Sequence, residues 1–182
     1  MQWKEYLELS EKTLSSQFHC EKKEELLLHS VIGILTEMEE LLDNHMGDSP
    51  DEINRSEEIA DAWWYVAIIG REYKIDIPST VDTSILDPML VVLNIIKITL
   101  KLLDFLKKKL FYNKQINDEL VKQYTSEIVA LLLLYAKLYN IDTEKSWDIN
   151  ISKLRARYGD KFSSEKAINR NLVVERNILE GN

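Results

Sequence analysis

Glycine (5) and proline (3) are scarce in this chain of 182 residues. A sheet protein needs many tight turns, and tight turns draw on Gly, Pro and Asn-Gly pairs. The shortage therefore argues against an all-β architecture and for a few long helices joined by short loops. The single cysteine, Cys20, excludes an intrachain disulfide and a cysteine zinc site. Positive charge is also in deficit: 23 Lys and Arg against 31 Asp and Glu leave a formal net charge of −8. A general nucleic-acid binder is usually basic, so that class is disfavoured. No apolar run, the one over residues 128–136 included, comes near the ~20 residues that span a bilayer. The opening Met1-Gln2-Trp3-Lys4-Glu5 lacks the apolar block of a signal peptide. These absences set the expectation of a soluble protein in a cytoplasmic, reducing compartment, with neither nucleic acid nor membrane as partner.

What is present is apolar residue in quantity (45%), enough to bury a sizeable core in one domain spanning 1–182. Its spacing is helical. Trp3, Tyr6, Leu7 and Leu14 share one side of a short N-terminal helix over residues 3–15. From residue 24 to 45 the stripe is Leu27, Leu28, Val31, Ile34, Leu35, Met38, Leu41 and Leu42, stopped by Gly47. Ser49-Pro50-Asp51-Glu52 has the form of an N-cap, a first-turn proline and a capping box, which starts a helix running to about Lys74. Asp87-Pro88 starts another, to about Tyr112. Asn117 caps a helix over residues 118–139, and Asp142 or Thr143 begins one that ends near Tyr158-Gly159. Ser163 or Ser164 begins a last one, to about Leu179. The expected fold is all-α. Its core is a four-helix bundle of two helix pairs, with further N- and C-terminal helices. Residues 58–76 echo residues 124–142, so the two pairs read as a degenerate repeat; chance similarity between amphipathic helices is the rival explanation.

Two acid pairs carry the chemistry. Glu37 and Glu40 lie three apart on one helix, and Glu58 and Asp61 three apart on the next. Residues at i and i+3 differ by about 60° around a helix, so each pair projects from one face. A short connection makes the helices antiparallel neighbours, and the four carboxylates can meet across the groove. They would repel unless a cation sat between them, and hard oxygen ligands favour Mg²⁺ or Mn²⁺. Glu-rich helix faces are usually only solvated. Here, however, the acids border apolar stripes: Glu37 falls between Ile34 and Leu41, and Asp61 lies beside Ala62 and Trp64. Gly33, one turn before Glu37, leaves space beside the site, and Trp64 and Tyr65, one turn after Asp61, can wall it. Basic charge is concentrated late in the chain, with seven Lys and Arg against three acids between Lys153 and Arg176, which suits a small polyanion.

Glu37-x-x-Glu40, a gap, then Glu58-x-x-Asp61 resembles the metal-binding signature of the MazG-like all-α nucleoside triphosphate pyrophosphohydrolases, a superfamily that includes the dimeric dUTPases and dCTP pyrophosphatases. Residues 29–43 are similar to the first motif helix and residues 58–67 to the second. Residues 150–170, with Lys153, Arg155, Arg157, Tyr158, Lys161, Phe162, Ala167, Asn169 and Arg170, look like the closing motif of phage and bacterial members. Tyr6 and Thr13 also sit as in the family's N-terminal helix. Two positions depart from the pattern, Thr36 where Glu is frequent and Gly159 where Pro is frequent, and the segment from about Ser79 to Tyr139 lies outside the resemblance.

The resemblance implies hydrolysis between the α and β phosphates of a nucleoside triphosphate, a dNTP by preference, giving the monophosphate and pyrophosphate. Glu37, Glu40, Glu58 and Asp61 would hold Mg²⁺ (Mn²⁺ is the alternative), with Glu37 or Glu40 handling the attacking water. Lys153, Arg157 and Arg170 would neutralise phosphate charge, and Asn169 would contact the nucleotide; apart from the resemblance, Trp64, like Trp63 and Tyr65, is an aromatic on which a base could stack, with packing as the rival role. A homodimer is the expected assembly. A monomer becomes possible if the second helix pair replaces a partner's helices. The competing reading is a non-catalytic helical nucleotide-binding or interaction module on the same scaffold. Among the remaining residues, His29 and Trp63 have packing as the plainer role, and Lys107-Lys108-Lys109 reads as a helix C-terminus favouring cations.

Overall fold

The computed structural model describes residues 19–159 and 164–181. The expected N-terminal helix, with Trp3, Tyr6, Leu7, Thr13 and Leu14, lies outside them, as do Asp160, Lys161, Phe162 and Ser163. Seven helices and no strands are present among the described residues: α1 (Lys22–Met46), α2 (Glu52–Tyr73), α3 (Pro88–Tyr112), α4 (Asp118–Leu138), α5 (Thr143–Tyr158), α6 (Ser164–Ile168) and α7 (Leu172–Glu180). None is long and apolar enough to cross a membrane.

The first four close a bundle in which α1 packs on α2 and α3, and α4 packs on α2 and α3. Their inward faces form a continuous apolar core that includes Leu27, Ile34, Met38, Ile59, Val66, Ile95, Leu102, Leu106, Ile128 and Leu132. Helix α5 lies along the outside of α2, and α6 and α7 pack on α5. That arrangement lays the basic segment beside the acid-bearing helix.

The end signals mostly act as their chemistry dictates. Asp87 caps α3 through the Met89 amide, Asn117 caps α4 through Leu120, and Asp142 caps α5 through Lys145. Two expectations are corrected. Helix α2 starts at Glu52, not Pro50, because the N-cap is Asp51, whose Oδ1 accepts from the amides of Ile53 (2.8 Å) and Asn54 (3.1 Å). A carboxylate satisfies both donors and meets the positive end of the helix dipole, which a serine hydroxyl at Ser49 does less well. Those amides, the Asn54 one first, hold the Asp51 carboxyl below its ordinary pKa. The single closing helix is instead two pieces, because Asn171 turns out of the chain direction and caps α7 through the Val174 amide.

The echo between the halves extends to whole elements. Helices α1 and α3 are each 25 residues long and start 66 positions apart, at Lys22 and Pro88; α2 and α4 start with the same offset, at Glu52 and Asp118. Both second helices also end alike. Lys74 and Asn140, again 66 apart, take a left-handed conformation (φ 53° in each), and the next amides reach back, Ile75 to the Gly70 carbonyl and Ile141 to the Ala136 carbonyl. This is the Schellman arrangement that closes a helix end.

Candidate active site

Helices α1 and α2 are antiparallel neighbours joined by a short connection, and their acid pairs face each other. Glu37, Glu40 and Glu58 each place one carboxylate oxygen within 4.8 Å of the other two. Glu37 and Glu58 are buried, at 8% and 4% exposure, whereas Glu40 opens to solvent. The two buried carboxyls share a hydrogen bond. Burial first, and then the neighbouring acids, raise both pKa values above the ordinary carboxylic range. Two ionised carboxylates cannot stand side by side away from water without a counter-charge. Thr36, in the place of the frequent Glu, donates its hydroxyl to the Gly33 carbonyl (2.8 Å) and lies 3.3 Å from Glu37 Oε1.

Asp61, the fourth expected ligand, is held otherwise. Its Oδ2 lies 2.6 Å from Lys153 Nζ, its Oδ1 lies 2.8 Å from the same nitrogen, and Asn150 donates its side-chain amide to Oδ1. Lys153 also donates to Glu57 (2.9 Å) and is 1% exposed. Burial opposes its charge, but Asp61 and Glu57 outweigh that and hold its pKa above the ordinary value. Three of the four acids thus converge, and the fourth, one helical turn along α2, is bridged to α5.

Asp61 opens onto a cleft of about 650 Å³ between α2 and α5, walled by Trp64, Tyr65, His29, Tyr158, Arg155 and Arg157. Trp64 and Tyr65 are half-buried and stand edge-on to each other at 5.1 Å, with His29 edge-on to both. The space expected beside Gly33 is filled by the Tyr65 ring. A Cβ at Gly33 would lie 2.2 Å from Tyr65 Cε1, so Gly33 is what allows the ring to lie against α1. Gly33→Ala should therefore unseat Tyr65 and cost about 1–3 kcal/mol by overpacking, read as a lower urea midpoint with an unchanged slope.

The basic residues divide. Arg157 makes a bidentate pair with Glu175 on α7 (2.7 and 2.6 Å), and Arg170 donates to the same carboxylate (2.7 Å). Glu175 is 4% exposed; burial would raise its pKa, but the two guanidiniums hold it below the ordinary value. Arg157 edges the cleft, while Asn169 lies apart from it, exposed, in a smaller cavity between α5 and the C-terminal pieces. Arg155, which also lines the cleft, is exposed, and its side chain carries no hydrogen bond or ion pair among the described residues. Sequence reasoning missed Glu57, Asn150 and Glu175 as partners. Glu57 lies one turn before Asp61 and Asn150 one turn before Lys153, a helical spacing that could have disclosed the first two. Nothing local marks Glu175 beyond its being an acid in a basic segment. Comparison of the chain with family models, with curated proteins and with solved structures returns no match.

Proposed function

We propose that the chain is a Mg²⁺-dependent nucleoside triphosphate pyrophosphohydrolase that acts on a dNTP. The observation that carries this reading is the buried Glu37–Glu58 carboxyl pair with Glu40 beside it. An acid pair taken out of water, with its ionisation suppressed, suits a divalent ion as the missing counter-charge. The donor set is all carboxylate oxygen, which fits Mg²⁺ or Mn²⁺ and not a soft metal. Bound there, the ion would supply charge neutralisation at phosphate oxygens and a more acidic water.

The protein's own groups account for the rest. The cleft presents Trp64 and Tyr65, faces and edges on which a base can pack. Arg155 supplies an unpaired guanidinium for phosphate oxygens, a task for which its planar fork is suited. Glu40, the exposed member of the triad, is the acid placed to take a proton from water entering from solvent. Lys153 keeps Asp61 pointed at the junction between triad and cleft. Arg157 and Arg170 brace α7 through Glu175 in this form, so their role toward phosphate requires that carboxylate to be displaced. The same internal pairing favours the second reading, a module that binds nucleotide without turning it over.

Incubation with each dNTP and Mg²⁺, followed by assay of pyrophosphate and nucleoside monophosphate, separates the two. Turnover that is lost in Glu40→Gln and Asp61→Asn supports the enzyme. Nucleotide binding with no product from any dNTP defeats it. Arg155→Gln should raise KM about tenfold with a smaller change in kcat, since a rim cation that contacts substrate and transition state alike contributes uniform binding.

A further inference from the structure

At the end of the bundle away from Trp64 and Tyr65, the α1–α2 connection meets the turn between α4 and α5. A cavity of about 460 Å³ opens there, and it shares no lining residue with the cleft described above. Its wall includes Arg55, which is only 8% exposed. A buried guanidinium ordinarily faces a carboxylate, because an unpaired buried charge is costly. Arg55 has none among the described residues. Its charged head lies 4.1 Å from the centre of the Tyr139 ring, and one Nη is 3.4 Å from the Asn44 side-chain oxygen. The Tyr135 hydroxyl is a further neighbour. All these partners are neutral. Its Nε–H, fully buried, has no acceptor among the described residues. A buried donor without an acceptor in a native protein needs an explanation, and an unfilled ligand position is one.

The surroundings specify the ligand. The cavity carries Lys145, exposed on the first turn of α5, whose side-chain ammonium has no partner among the described residues. Two of its three acids are already engaged: Glu57 by Lys153, and Asp142 as the cap of α5. The third, Glu52, is exposed. Tyr139, Ile149 and Leu179 give the remaining wall an apolar character. The volume is that of a small-molecule site. From the unpaired Arg55, the free Lys145 and this wall, we propose that the cavity is a second ligand site, for a small organic oxyanion whose phosphoryl or carboxylate head meets Arg55 and whose apolar part lies against Tyr139 and Leu179. Burial, and after it the charge of Arg55, outweigh the Asp87 carboxylate and hold the nearby His45 imidazole below its ordinary pKa. The site is independent of the pyrophosphohydrolase reading, and its test does not involve turnover.

The test follows arginine Nε–H resonances of the full chain by ¹H–¹⁵N NMR. Sodium phosphate and sodium hexanoate are titrated separately at constant ionic strength. The Arg55 signal is assigned through its backbone and checked by its loss in Arg55→Lys. A saturable shift of Arg55 with phosphate alone assigns a phosphoryl head, and with hexanoate alone a carboxylate with an apolar body. In either case Lys145→Gln, a change at an exposed position that leaves the fold intact, should weaken binding about threefold by removing the second cation. The proposal is overturned if neither probe moves Arg55 by about 20 mM, well above the ~1 mM Kd that corresponds to about −4 kcal/mol of binding. It is equally overturned if Arg55 moves only in step with Arg71, an exposed arginine outside both cavities, and with a midpoint indifferent to Lys145→Gln, the mark of diffuse ion association.

Discussion

Glu58→Gln should lower turnover on the order of 10³-fold and at the same time leave the metal-free protein more stable than the parent at neutral pH. The two effects have one cause. Glu58 is 4% exposed and hydrogen-bonded to Glu37, with Glu40 beyond it. Its folded pKa lies above the ordinary 4.5, through burial first and its acidic neighbours second, and that of Glu37 is raised in the same way. Between the unfolded value and the folded ones, the native state binds more protons than the unfolded state. The parent therefore loses stability as pH rises from about 4.5 through neutrality. Glutamine keeps the shape and the hydrogen bond to Glu37 but carries no proton to lose, so the variant's stability changes less with pH.

Metal reverses the order. Ligands must shed protons to bind, so the stabilisation of the parent by Mg²⁺ should grow with pH. It reaches about 2.7 kcal/mol when the ion is 100-fold above its Kd. The variant should gain little from Mg²⁺ at any pH. Thermal melts at several pH values with EDTA or with Mg²⁺ read both halves. A Glu58→Gln protein that keeps its activity and its Mg²⁺ response would remove the acid triad from the mechanism.

The sequence displayed the bundle because helical spacing and cap chemistry are local. The stripe from Leu27 to Leu42, the Asp87-Pro88 start and the caps at Asn117 and Asp142 each act within one or two turns. The Ser49 misreading was also local: two adjacent capping residues competed, and the carboxylate of Asp51 prevailed. The meeting of Glu37, Glu40 and Glu58 was legible because antiparallel neighbours follow from a short connection. The partners of Asp61 were not, since Lys153 reaches it only once α5 has docked on α2, a contact of 92 residues' separation.

The offsets between the halves show how the second has mostly lost its acid, keeping only Glu127 where the first has Asp61. The buried stripe of α3 (Val92, Ile95, Leu102, Leu106) follows that of α1 (Leu27, Ser30, Glu37, Leu41) at an offset of 65, while α4 follows α2 at 66. Leu102 and Phe105 then stand where Glu37 and Glu40 stand, and Tyr124 where Glu58 does. Phe105 and Tyr124 stack at 5.8 Å in the second half, so that groove is closed by apolar contact. The first half retains a charged one.

Lys153→Met should cost about 3 kcal/mol in metal-free buffer, the largest stability loss expected of any single change considered. The ammonium is 1% exposed and serves two carboxylates, Asp61 and Glu57, whose side chains are 25% and 16% exposed. Removing it leaves both acids without a counter-charge, and the methionine cannot return what was lost beyond packing. The folded pKa of Lys153 lies above its ordinary 10.5. Its contribution is thus fully present below that pH and disappears only as the pH rises through the folded value. Urea midpoints of parent and variant should stay separated by a constant gap through neutral pH and converge only in strong alkali. Mg²⁺ discriminates what the lysine does. If Lys153 holds Asp61 ready beside the triad, a divalent ion can take over part of its role, and Mg²⁺ should stabilise Lys153→Met more than it stabilises the parent. An equal gain in both would mean that Asp61 never faces the ion, and would confine the metal centre to Glu37, Glu40 and Glu58. Lys153→Arg separates charge from shape, because it restores the positive charge but cannot place a compact ammonium between two carboxylates in so small a space.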